Sequence, residues 1–117
     1  LIHKIIGLYK TIYQLGKQIS KRDRLGLIHR IEDICLDALM LAIEAAYSSK
    51  QEKPPLLKRQ RIKIETIKQL VRLTADLEIT DNRRYLGLAK QLIEISKMNN
   101  NWLNWSTKES PGRTLLN

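Results

Sequence analysis

Phenylalanine is absent from the 117 residues, tryptophan occurs twice, and aromatic residues together make up only 5%. A core must therefore be assembled from Leu, Ile and Ala, which suits helices. Five Gly and three Pro leave little material for the repeated turns of an all-β domain. The single cysteine, Cys35, sits in an apolar helical run, argues against a disulfide framework and fits a reducing cytoplasm. No apolar run reaches the roughly 18 residues of a membrane span, and no basic, apolar and small-residue succession of a signal peptide opens the chain. The expectation is a soluble cytoplasmic protein with no membrane partner. The first residue is Leu1 rather than Met, so a short N-terminal piece is expected ahead of it.

Catalytic chemistry is equally sparse. His3 and His29 are the only histidines. His29 stands three residues before Glu32, whereas a di-metal bundle needs Glu-x-x-His on two helices and a Glu on each of the others. Asp33 and Asp37 lie one turn apart with no His, Ser or Cys placed to complete a catalytic set, and they read as a solvated or interface stripe. Gly16, Gly26 and Gly87 are single and widely spaced, so no phosphate-cradling loop is present. The expectation is no metal, no cofactor and no enzyme.

What the chain has in quantity is positive charge, net +9 with a pI near 9.9, which points to a polyanionic partner. Lys4, Lys10, Lys17, Lys21, Arg22 and Arg24 are opposed only by Asp23 in the first stretch. Lys50, Lys53, Lys58, Arg59, Arg61, Lys63, Lys68 and Arg72 are opposed only by Glu52 and Glu65 in the second. Between them Asp33, Asp37 and Glu44 form an acidic interval.

Hydrophobic periodicity predicts four helices. Ile2, Ile5, Ile6, Tyr9, Ile12, Tyr13 and Ile19 recur at helical steps and give a first helix from residue 2 to about 18, weakening at Gly16. Ser20 and Asp23 resemble a capping box opening helix two, which is expected from about Asp23 to Tyr47. Ile28, Ile31, Cys35, Ala38, Leu39, Ala42 and Ala46 form one of its stripes, and Leu25, Leu36, Ile43 and Tyr47 a second. A helix apolar on two sides is buried on two sides, which in a small bundle implies a neighbouring subunit. Residues 48–55, SSKQEKPP, are the expected linker, with Pro55 in the first turn of helix three. That helix should run to about Glu78, and Thr80-Asp81-Asn82 should turn and cap helix four. Tyr85, Leu88, Ala89, Leu92, Ile95 and Ser96 would face inward. Asn99-Asn100-Asn101 is the expected helix end, Trp102 to Trp105 a short apolar coda, and residues 106–117 a disordered tail outside a domain of residues 1–105. The fold class is all-α, an antiparallel up-down-up-down four-helix bundle assembling as a homo-oligomer.

The stretch Leu56 to Leu77 carries the functional expectation. On a helical wheel Lys58, Arg61, Lys68 and Arg72 fall within an arc of roughly 80°, interrupted by Glu65, while the apolar residues spread over about 200°. A solvated face is the ordinary reading of such a ridge; a phosphate-binding face is the functional one. Trp102 and Trp105 either close the open end of the bundle or anchor an interface. Base stacking is weaker, since no Lys or Arg flanks them in sequence.

Arg24-Leu25-Gly26 followed by Ile31, Asp33, Leu36 and Leu39 resembles the start of helix two in the bacterial "four helix bundle protein" family. Its best-understood members are the accessory variability determinants (Avd) of diversity-generating retroelements. Ala45-Ala46-Tyr47, Lys50, Pro55-Leu56-Leu57, Glu65, Leu70, Arg72-Leu73 and Asp76-Leu77 are similar to its second linker and third helix. Arg83-Arg84-Tyr85, Leu92, Glu94-Ile95, Met98 and Trp102-Leu103 resemble its closing signature. The likeness spans about residues 5–106. Asn100-Asn101 replaces the usual Gly-Gly, and Ile19-Ser20-Lys21 a common Phe-Pro-Lys segment.

The resemblance implies an accessory protein without an active site, a barrel-like homopentamer that binds the retroelement's reverse transcriptase, RNA and RNA/DNA hybrid through a basic surface. A related branch, encoded in intervening sequences of 23S ribosomal RNA genes, supplies the alternative of a structural or protein-interaction module. The residues expected at the nucleic-acid and polymerase surface are Lys58, Arg61, Lys68 and Arg72, joined by Lys21, Arg22 and Arg24. Arg83 and Arg84 are alternatives that could instead serve only the helix-three/four turn. Leu36, Ile43 and Leu73 are the expected subunit contacts, with Trp102 and Trp105 as further anchors.

Overall fold

The computed structural model describes residues 1–108. They form four helices and no strand: α1, Ile2–Gly16; α2, made of a turn Lys21–Asp23, a π-helical turn Arg24–Ile28 and the long segment His29–Tyr47; α3, Lys53–Asp76; and α4, Asn82–Thr107. One large core cluster draws Leu and Ile from all four helices. Ile5, Leu8, Ile12, Ile28, Ile31, Ile64, Ile67, Leu92 and Ile95 are almost completely buried. Each such side chain contributes about 1.5–3 kcal/mol through removal of apolar surface from water.

In α1 the buried stripe is Ile5, Leu8, Ile12 and Leu15. The expected stripe leaned toward Ile6 and Tyr13, but Tyr13 is half exposed and stacks on Tyr9 instead. Helix two starts at Lys21, slightly earlier than expected, because Ser20 caps it: its hydroxyl accepts the Asp23 N–H and bonds the Asp23 carboxylate. The π turn shifts the helical phase, so Leu25 points outward while Ile28 is buried. Beyond it Ile31, Ile34, Cys35, Ala38, Ala42 and Ala45 face the core.

The expected linker is shorter. A single 3-10 turn, Lys50–Glu52, precedes α3, whose first turn carries both Pro54 and Pro55. Their missing N–H groups cost nothing there. Lys53, buried at 9% exposure, donates from Nζ to the carbonyls of Ala45 and Ser48, both at 2.7 Å. It thereby satisfies acceptors left over at the C-terminus of α2.

Helix three ends at Asp76, two residues before the expected limit, and Glu78 adopts φ 58°. Backbone bonds from Glu78 to Ala75 and from Ile79 to Thr74 close the turn, and the buried Thr74 and Thr80 hydroxyls bond each other at 3.0 Å. A left-handed residue with a Cβ is strained. Glu78→Gly is expected to stabilise the protein by about 0.5–1 kcal/mol, raising the calorimetric midpoint by about 3–5 °C.

Asp81 caps α4 as expected, accepting the Arg84 N–H at 2.8 Å. The expected stop at Asn99-Asn100-Asn101 is wrong, because the helix continues to Thr107. Asn99 lies on the inward stripe with Leu92, Ile95 and Leu103, is fully buried, and donates to the Leu57 carbonyl at 3.1 Å. Tertiary packing overrides the weak helix propensity of three asparagines. The residues of the expected coda, Trp102 to Trp105, are therefore helical, and so are Ser106 and Thr107, assigned above to a disordered tail. Residues 109–117 of that tail lie outside the described residues.

Candidate nucleic-acid interface

Helix three presents its polar side because Leu56, Leu57, Gln60, Ile64, Ile67, Val71 and Thr74 turn inward. Lys58, Arg61 and Arg72 are exposed on the other side and make no ion pair among the described residues. At 1.5 Å per residue the ridge from Lys58 to Arg72 is about 21 Å long. Lys68 differs from the other three. Its ammonium is shared between Glu65 at 2.9 Å and Ser96 of α4 at 3.2 Å, and its side chain is 29% exposed. It ties α3 to α4, with much of its charge already matched.

Lys21, Arg22 and Arg24 are exposed at the start of α2, and Arg83 and Arg84 at the start of α4. A hydrogen bond from the Arg84 guanidinium to Gln18 joins the α1–α2 and α3–α4 turns, so these five residues share one end of the molecule. Arg84 is also 4.0 Å from the Asp81 carboxylate. Contacts between Lys63 and Asp37 and between Lys53 and Ala45 set the start of α2 beside the end of α3. Arg72 therefore lies near the basic group at the start of α2, while Lys58 and Arg61 lie toward the opposite end.

Helix two has the opposite character. Leu36, Met40, Ile43 and Tyr47 are exposed at 40%, 68%, 41% and 89%, at steps of four, three and four, on the side away from Ile31, Ala38 and Ala42. Asp33, Asp37 and Glu44 flank that stripe. Of the residues expected at a subunit contact, Leu36 and Ile43 share this stripe, while Leu73 is 39% exposed on α3, a helix on which Ile62 is exposed as well. Met40 was missed, although its spacing from Leu36, Ile43 and Tyr47 was legible.

The tryptophans separate. Trp102 is partly buried against Ala45, Leu56, Leu57 and Leu103, whereas Trp105 is 51% exposed. Neither has a basic neighbour in sequence, yet the fold sets the Lys53 ammonium 5.8 Å from the Trp102 ring and that of Lys50 4.8 Å from the Trp105 ring. No local signal in the sequence marked those cation–π pairs.

Titratable groups in the interior are few. Burial, reinforced by Glu32, pushes the Cys35 thiol up to about 12, and its Sγ donates to the Ile5 carbonyl. Such a thiol is a poor nucleophile. Burial also raises the Glu32 carboxyl, repulsion from Asp33 adding to the shift and His29 opposing it. The native state therefore holds that proton more tightly than the unfolded chain, and stability falls as pH rises through the native pKa. Glu32→Gln is expected to raise the urea midpoint at neutral pH, with the difference vanishing below the ordinary carboxylate range. Among the described residues no three His, Cys, Asp or Glu side chains converge to hold a metal ion, and no helix is long and apolar enough to cross a membrane. Compared with family models, curated proteins and solved structures, the chain finds no match in any of the three.

Proposed function

We propose that this chain is a non-enzymatic accessory protein that binds RNA, RNA/DNA hybrid and a reverse transcriptase through a basic surface while self-associating through α2. The reading is that of an Avd-type protein supporting mutagenic reverse transcription of a diversity-generating retroelement. The observation that carries it is the segregation of charge and apolar surface. The α2 exterior combines an apolar stripe with carboxylates, which repel a polyanion except where Asp37 is paired with Lys63 of α3. The α3 exterior presents Lys58, Arg61 and Arg72, and Glu65 on that ridge is occupied by Lys68. A subunit contact and a phosphate contact can thus form at once without competing.

An antiparallel up-down-up-down bundle accounts for the contacts between helices. Lys4 and Thr11 of α1 and Gln18 just beyond it meet Glu94, Gln91 and Arg84 of α4, one series rising as the other falls. Repetition of the stripe around a closed ring, five subunits by family resemblance, would array the basic ridges on one assembly. Affinity then comes from counterion release and carries little base-sequence information. Fluorescence anisotropy with a single-stranded RNA across a salt series tests the first part: the reading expects affinity to fall steeply with salt, and salt-independent or absent binding contradicts it. Co-expression with a retroelement reverse transcriptase, followed by affinity capture of the complex, tests the second.

A further inference from the structure

The seam between α1 and α4 is held by polar contacts. Lys4 pairs with Glu94 at 2.9 Å, the Gln91 amide donates to the Thr11 hydroxyl at 3.2 Å, and Arg84 donates to Gln18. Between the last two the helices part into a groove of about 350 Å³. Thr11 and Gln14 of α1 and Gln18 of the following turn line one side, and Arg84, Gly87 and Gln91 of α4 the other, over a floor of Leu15 and Leu88. Gln91 is only half satisfied, because its Oε1 is buried without a partner. A side chain at Gly87 would find no atom within 4 Å of its Cβ, so this glycine leaves the groove open without being required by helix packing.

We propose that this groove holds one unpaired nucleotide, with amides of Gln14, Gln18 and Gln91 meeting the base edge and Arg84 its phosphate. The proposal rests on the RNA-binding reading above and names a subsite for it. A glutamine amide sets a donor beside an acceptor, the pattern that base edges present. Bases of single-stranded RNA can be splayed out and read on those edges, which a duplex conceals. Guanidinium groups suit phosphate, and Lys21, Arg22, Arg24 and Arg83 stand at the same end of the molecule. Asp81, 4.0 Å from Arg84, is the carboxylate paired with that guanidinium, and it leaves part of the charge to be matched by the ligand. Leu15 and Leu88 on the floor offer the plane of a base an apolar surface, beside the amides and the guanidinium that line the same groove.

The test is a heteronuclear NMR titration of the full chain with nucleoside monophosphates, alongside ribose 5-phosphate and a short peptide. Shifts at the Gly87 backbone amide and the Gln14 and Gln91 side-chain amides are expected at millimolar nucleotide, the range of a single weakly held unit. Gly87→Leu, which fills the groove from an exposed helical position and favours the helix, should abolish them with an unchanged or raised melting temperature. Gln14→Glu, at another exposed position, should weaken binding about tenfold by removing an amide donor from the base edge and bringing a carboxylate into a groove that holds an anion. Absence of shifts up to about 10 mM overturns the proposal. So do shifts that survive Gly87→Leu, and equal responses to ribose 5-phosphate or peptide. The anisotropy experiment on RNA is separate. RNA binding without nucleotide shifts refutes the groove alone, and nucleotide shifts without RNA binding refute the basic-surface reading alone.

Discussion

Simultaneous charge reversal at Lys58, Arg61 and Arg72 is expected to lower affinity for single-stranded RNA about a hundredfold at physiological salt. Each lysine or arginine that neutralises a phosphate releases a counterion, and removing three such contacts should flatten the slope of log affinity against log salt by about 2. The three side chains are exposed and unpaired among the described residues, so their reversal touches no packing. Exposed substitutions of this kind ordinarily change stability by less than about 0.5 kcal/mol each. Circular dichroism and light scattering should therefore match the wild type. Lys68 is left out because its reversal would break the contacts with Glu65 and Ser96, confounding binding with stability. Unchanged affinity in the triple variant would remove α3 from the nucleic-acid surface and leave Arg22, Arg24 and Arg83 to explain any binding.

Replacing Leu36 and Ile43 together by Asp is expected to convert an oligomer into monomers at micromolar concentration, as read by size-exclusion chromatography with light scattering. Both side chains are about 40% exposed in the isolated protomer, and with Met40 and Tyr47 they form a stripe that water should not be left to cover. Closing a subunit interface over two carboxylates without partners costs several kcal/mol per contact. The protomer loses less, because the core-facing stripe of Ile31, Ala38 and Ala42 is untouched. Helix content should stay near the wild-type value. A wild-type protein that scatters as a monomer contradicts the assignment outright. An oligomer that survives both aspartates moves the contact to Leu73 and Ile62 on α3.

Caps and turn residues were legible because they act within one helical turn. Ser20, Pro55 and Asp81 each satisfy or excuse backbone groups a few positions away, and each marks a helix start in the structure. The second apolar stripe of α2 was legible for a similar reason, since 3.6-residue periodicity places Leu36, Ile43 and Tyr47 on one face whatever the tertiary fold. Asn99 was not legible. Its amide partner, the Leu57 carbonyl, lies 42 residues earlier, and three asparagines read in isolation are a helix end.

A partner 28 residues away likewise changes the membership of the ridge. Composition and spacing placed four basic residues on one arc of α3, but only packing against α4 shows that Lys68, already beside Glu65, is also held by Ser96. Lys53 is counted as a surface cation in any charge total, yet the fold buries it as the cap of α2 and sets it near Trp102. The groove over Gly87 has no counterpart in either helix taken alone, because Gln14 and Gln91 meet only across the α1–α4 seam.

By itself, then, the sequence determined helix class, helix starts, the excess apolar face of α2 and the unequal distribution of charge, all of which depend on neighbours within one or two turns. The tertiary structure alone decided where α4 stops, which lysines remain available to a partner and where the helices part to leave a groove lined by amides and a guanidinium. Those outcomes depend on burial and on partners dozens of residues away, and local propensities worth a few tenths of a kcal/mol yield to them.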